Sequence, residues 1–305
     1  MGSPTQLSSP TSFTQRASYN PQFEQLLPLV ETPWIIPTES ELDAFVAAGW
    51  CEGKRRKRYT KEVWDSRPGR EKCGFSAAAA ASHFLSSIPT TTRQYIRRIF
   101  IIEDKLAVAS SALHVHGLVP FCRENPSLRI EQRVSLCENI FVGAGARFGA
   151  PHDMKHEYYR WDGFITDGMF LYTITSNVAP WMVEATLAGV PDAITLVLDG
   201  EPAPELSARI LQAVIHRDAA WQAALEQTLG DDLADTIDKR SHKKLYYADG
   251  FPELLRDIVA LGPKSRVRCN FDPGKPWNSA QIAELVDKYR DLDIYDWENR
   301  WGGAL

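Results

Sequence analysis

The chain has 305 residues, 44% of them hydrophobic and 24% charged, a balance that excludes disorder throughout and predicts one large or two modest domains around an ample core. Its formal charge of -5 gives no general attraction to nucleic acid or acidic lipid, so any such contact would have to be local. The five cysteines, Cys51, Cys73, Cys122, Cys137 and Cys269, include no C-x-x-C pair, which argues against a disulfide framework or zinc ribbon and for a reducing compartment.

Residues 1–21 are rich in Ser, Thr, Pro and Gln and predict a disordered tail, without the apolar run of a secretory signal. Gly2 is not read as a myristoylation site, because Gln6 stands where that motif wants Ser or Thr. No later window reaches the length of a membrane helix, so no membrane partner is expected. Residues 22–305 are read as a single domain. Thr38-Glu39-Ser40-Glu41 has the spacing of a capping box, and Leu42, Phe45 and Val46 continue a helical stripe that Gly49 ends. Next comes an exposed connection over about residues 52–72, carrying the basic run Lys54-Arg55-Arg56-Lys57-Arg58 and the pair Pro68-Gly69.

Phe75 to Leu85 reads as an alanine-rich helix closed by Pro89, with a second helix around Arg93, and Ile99 to Ile102 as an apolar strand. Leu128 to Val134 alternates, placing Leu128, Ile130 and Val134 on one face and Arg129, Glu131 and Arg133 on the other, the pattern of a half-buried strand. Phe170 to Ile174 is strand-like, Pro180 to Ala188 helical and Ala193 to Leu198 strand-like, together a short β-α-β unit. A long helix is predicted over Glu205 to Leu229, stopped by Gly230, and another over Pro252 to Leu261. Val267, Cys269 and Phe271 alternate as a late strand, and Asn278 caps what reads as the final helix. Helices alternating with strands predict an α/β fold with a partly parallel sheet; the uneven strand spacing excludes a regular leucine-rich solenoid and leaves an irregular solenoid-like arrangement open.

Chemistry-bearing patterns are sparse. His152-Asp153-Met154-Lys155-His156 mimics a zinc-protease motif, with Asp153 as general base and His152, His156 and Asp162 as ligands. Pro151 prevents one continuous helix from carrying the pair, and Asp is a methylene shorter than the usual Glu, so a loop with two ordinary histidines is preferred. His114-Val115-His116, with Cys122 and Cys137 downstream, suggests a metal only if the histidines share a strand face; Gly117 and Pro120 favour a turn. Gly143 to Gly149 resembles a nucleotide loop but has no apolar helix behind it. There is no G-x-S-x-G elbow and no Walker lysine, so no cofactor is expected. Lys54 to Arg58 suits a nuclear import receptor, placing the chain in cytoplasm, nucleus or both, whereas Tyr59 alone is too little aromatic surface for direct nucleic-acid contact.

The block from Ala107-Val108-Ala109 through His114, Gly117-Leu118-Val119-Pro120-Phe121-Cys122-Arg123-Glu124-Asn125-Pro126-Ser127 and on to Val134 resembles a family of uncharacterised fungal proteins. Phe75-Ser76-Ala77-Ala78 and Pro33-Trp34-Ile35-Ile36-Pro37 fit the same resemblance, which covers roughly residues 33–141. Some relatives are labelled F-box-like, which implies a link to ubiquitin-ligase adaptors, although no F-box is found here: Leu27-Pro28 is followed by no suitable helix. Relatives often carry a Cys where this chain has Leu113. The sequence thus predicts a non-enzymatic intracellular protein that acts through protein–protein contacts as an adaptor or accessory, with a metal-dependent hydrolase as the alternative.

Overall fold

Four strands organise the computed structural model, which describes residues 32–41, 74–107, 110–141, 171–230 and 247–303. Strands β1 (Arg98–Glu103), β2 (Arg129–Ser135), β3 (Ile194–Asp199) and β4 (Val267–Cys269) pair in the order β1-β2-β3-β4, every pair parallel. The expected α/β class holds, with the described sheet parallel throughout. Sequential order means that each crossover advances by one strand in the same direction. With right-handed crossovers, the described connecting helices lie on one side of the sheet.

Burial along the strands follows from this one-sided winding. Ile101, Ile130, Val134, Ile194, Leu196, Leu198 and Val267 point into the helical layer and are buried. The alternate positions of β1 and β2 stay partly or fully open, so the period of two predicted for β2 is the period observed.

Helix α1 (Ala77–Ser87) starts where Ser76 Oγ accepts from the Ala79 amide, and its small residues Ala78 and Ala79 let it lie close on the sheet. The single turn α2 (Thr90–Arg93) leads into β1. Between β1 and β2 the chain forms a 3-10 helix, Ser111–Leu118, and α3 (Val119–Glu124), which pack with α1, Ile101, Leu128 and Ile130 in one core cluster. A π-helical turn, Leu136–Phe141, follows β2.

Helix α4 (Leu171–Thr186) corrects the expectation of a strand at Phe170 to Ile174. Thr173, Ile174 and Thr175 favour strands locally, yet Ile174, Val178, Ala179, Met182 and Ala185 recur at helical spacing and are all buried, so tertiary packing overrides propensity. Pro180 lies inside this helix instead of opening it. The long predicted helix is observed as α5 (Pro204–Ile210), a π-helical turn (Leu211–Ile215) and α6 (His216–Leu229), ended by Gly230 at φ 52.

Helix α7 (Phe251–Leu261) precedes β4, which is shorter than predicted: Phe271 lies beyond it and packs on the core. Asn278 caps α8 (Ser279–Tyr289) as expected, and Gln281 completes a capping box with it, but α8 is not the last helix. Helix α9 (Ile294–Gly303) follows and brings Trp297 and Trp301 against Trp221 of α6, in an aromatic cluster separate from the sheet. Near the other terminus, Thr38 and Glu41 make the predicted capping box. The tail 1–21 and the basic connection 52–72 lie outside the described residues.

Candidate interaction face

The strand register fixes what the open side of the sheet presents. Arg98 stands beside Arg129; Phe100 beside Glu131 and Thr195; Ile102 beside Arg133, Val197 and Arg268; Ser135 beside Asp199. At the β1 edge Phe100 is 55% and Ile102 58% exposed, and Tyr95, just before the strand, is 81% exposed. Val197, farther in between the two arginines of its row, is buried at 7%. The face therefore runs from an apolar edge into a field of arginines.

Those arginines are held in different ways. Arg133 Nε donates to Glu131 Oε1 at 2.7 Å, and its Nη1 lies 4.0 Å from Asp199 Oδ2. Arg129 donates to the carbonyls of Pro126 and Leu128, and Arg268 to that of Ser265. The Arg98 guanidinium lies 5.7 Å from the centroid of the Phe100 ring. Among the described residues, Arg98, Arg129 and Arg268 have no carboxylate partner. Four cations against Glu131 and Asp199 make this face positive on a chain of formal charge -5.

Directly behind it, a buried polar layer ties the sheet to the helices. Glu103, at the end of β1, accepts from the amides of Ala77 and Ala78 at 2.9 Å each and from Gln132 Nε2 at 3.3 Å. Burial raises its pKa, opposed by those three donors and aided by the nearby Asp104. A carboxylate at the first turn of α1 also meets the positive end of the helix. Ser76 Oγ and His114 Nδ1 are 2.6 Å apart, both side chains buried, and burial lowers the imidazole pKa to about 4. His114 Nε2 has no hydrogen-bond partner among the described residues. The Ser76–His114 pair sits inside the core rather than at an opening, so it serves as a structural contact.

The metal reading of His114 and His116 is not realised in this geometry. On the 3-10 helix the two rings diverge, His114 toward Ser76 and His116 toward Glu184, whose Oε2 is 2.7 Å from His116 Nε2. Cys122 is buried in the α1 cluster, and burial pushes its thiol up to about 11; Cys269 is pushed up to about 12. Both thiols stay protonated at neutral pH and are poor nucleophiles. Among the described residues no group of three or more His, Cys, Asp or Glu is placed to hold a metal ion. Asp153, His152, His156 and Asp162, the glycine loop Gly143 to Gly149, and the basic run Lys54, Arg55, Arg56, Lys57 and Arg58 all lie outside the described residues. No helix among the described residues is long and apolar enough to cross a membrane.

Sequence reasoning missed Phe100 and Ile102 as surface residues. Ile99-Phe100-Ile101-Ile102 has no alternation, so nothing local says that half of it stays open. It also missed the seat of Trp34: a Cβ at Gly117 would lie 2.5 Å from Trp34 Cδ1, so the indole rests on that glycine and beside His116. The signal was present in the P-W-I-I-P segment and the small residue at 117. Comparison with protein-family models, with curated proteins and with solved structures finds no match.

Proposed function

We propose that this chain is a non-enzymatic intracellular protein, an adaptor or accessory, that acts by binding another protein through the open face of its parallel sheet. The observation that carries the proposal is the exposure of Phe100 and Ile102, side by side on β1, on the side of the sheet opposite the helical layer. A large apolar pair bordered by charged residues has the composition of a contact patch, not of an ordinary soluble surface. The buried Glu103 and Ser76–His114 contacts stiffen the scaffold behind it and offer no opening for substrate. Nuclear entry through Lys54 to Arg58 and membership of the fungal family that residues 33–141 resemble belong to the same proposal.

Photo-crosslinking tests the reading. A benzoylphenylalanine placed at Phe100 in the full chain, expressed in cells, gives a discrete adduct with a partner protein, and adding Ile102→Asp abolishes it. Absence of an Ile102-dependent adduct overturns the face. Metal analysis supplies the arm for the hydrolase alternative: stoichiometric zinc that disappears in His152→Ala would sink the non-enzymatic reading.

A further inference from the structure

We infer that the segment received by this face is an acidic polypeptide carrying at least one large apolar anchor; the inference rests on the open face being the binding surface. The charge balance of the face decides the sign of the partner. Arg98, Arg129, Arg133 and Arg268 project from the same side of the sheet as Glu131 and Asp199, and both carboxylates lie near Arg133. That leaves Arg98, Arg129 and Arg268, on β1, β2 and β4, with only carbonyl or ring contacts among the described residues. A guanidinium bonded to a carbonyl keeps its full charge and free N–H donors, so each can take a carboxylate without breaking an ion pair.

The positions set the shape of the ligand. Neighbouring strands are about 4.8 Å apart, so β1 to β4 spans about 14 Å, the length of about four extended residues. Arg98 and Arg129 lie at the start of their strands, and Arg268 lies at the far end of the row that begins with Ile102. A segment crossing the sheet from Arg268 toward Ile102 and Phe100 therefore meets a cation first and the apolar edge last. Acidic residues on such a segment answer the arginines, and a Leu-sized or aromatic side chain covers Phe100 and Ile102.

Single-stranded nucleic acid is disfavoured by the same residues. Phe100 is the only aromatic at the register positions of the open face, and Glu131, directly beside it, would meet phosphate with like charge. A peptide carboxylate can be placed between the charges, whereas a continuous phosphate backbone cannot avoid Glu131 and Asp199.

A dodecapeptide display library panned on the purified full chain tests the inference, with each enriched peptide measured by fluorescence polarisation. Wild type, Ile102→Asp and the double variant Arg129→Glu/Arg268→Glu are compared, with folding checked by circular dichroism; Phe100→Ala replaces Ile102→Asp should the latter unfold. The expected peptides are net acidic with an apolar residue and lose about tenfold or more in affinity on either variant. Raising NaCl from about 50 to about 300 mM also weakens them.

Neutral or basic peptides that lose binding to Ile102→Asp but not to the double arginine variant overturn the acidic partner and leave the face reading intact. Peptides indifferent to Ile102→Asp, or no enrichment at all, overturn both. Oligouridylate bound in an arginine-dependent way more tightly than any peptide overturns the inference in favour of nucleic acid. A dimer in solution that Ile102→Asp dissolves overturns it in favour of a second copy.

Discussion

His114 makes stability depend on pH in a way that one substitution isolates. Its side chain is buried, and burial lowers its pKa from 6.5 to about 4, so between those values the unfolded chain takes up a proton that the folded chain refuses. Its contribution is therefore fully present above pH 6.5 and is lost as pH falls toward 4. At about 1.4 kcal/mol per pKa unit, the loss approaches about 3 kcal/mol, most of it complete by about pH 4.5. Against a total stability of about 5 to 15 kcal/mol, that is a readily measured fraction.

The perturbation is His114→Asn, whose amide can keep a bond to Ser76 Oγ and which does not titrate. It loses stability at neutral pH through the space it leaves, but that loss does not change with pH. Urea unfolding followed by circular dichroism, at about pH 7 and about pH 4.5, gives the test. Other groups titrate in the same window: His216, lowered by burial, acts in the same direction, while Glu103 and Glu226, raised by burial, act in the opposite one. All three are common to both proteins and cancel in the difference. Wild type should lose about 2 to 3 kcal/mol more than the variant on acidification. Equal losses would refute the buried neutral state of His114.

Asp218 is buried between α4, α6 and α9, where it accepts from Thr175 Oγ1, from Arg217 and, at 2.9 Å, from Trp301 Nε1; Asp218→Ala should cost about 3 to 5 kcal/mol, read as a lower urea midpoint. Gly117→Ala places a methyl 2.5 Å from Trp34 Cδ1 and should displace the indole, seen as faster proteolysis within residues 32–41, an effect that Trp34→Ala should reproduce. Glu103→Gln replaces one of the two oxygens that receive the Ala77 and Ala78 amides with an NH2 group, so one helix-terminal donor loses its acceptor. Destabilisation of about 1 to 3 kcal/mol is expected, together with faster hydrogen exchange at those amides.

What the sequence made legible was chemistry completed within a few residues. The capping box at Thr38–Glu41, the cap at Asn278 and the alternation of β2 each depend on neighbours three or fewer positions apart, and each is present. Contacts across long separations were not legible. The strand-forming residues at the start of α4 become helical because Thr175 meets Asp218, 43 positions away, and Ile174 joins the core beneath the sheet. Helix α9 has a short stripe, Ile294, Trp297 and Trp301, which has value only once Trp221 of α6 is there to receive it.

The exposure of Phe100 and Ile102 is the same kind of fact: it follows from β1 standing at the edge of the described sheet and from the described connecting helices lying on its other face, neither of which is written in Ile99 to Ile102 itself. The surrounding charges show how such an edge can remain soluble. Arg97 and Arg98 precede the apolar run, and Asp104 and Lys105 follow it, so strand addition along β1 is interrupted by charge at both ends. This protects the edge but leaves the face of the strand available.

The dimensions of the face also limit how it binds. About 14 Å across the strands and about 20 Å along them give a platform of a few hundred Å², below the roughly 800 Å² per partner of a stable interface. Alone, the platform supports a weak, reversible contact. A tighter complex has to recruit surface beyond the strands, and Tyr95, almost wholly exposed just ahead of β1, is where an approaching segment would find it. Tyr95→Ala should therefore weaken a long peptide without affecting a short one that reaches only Phe100 and Ile102, a difference that polarisation measurements on peptides of two lengths resolve.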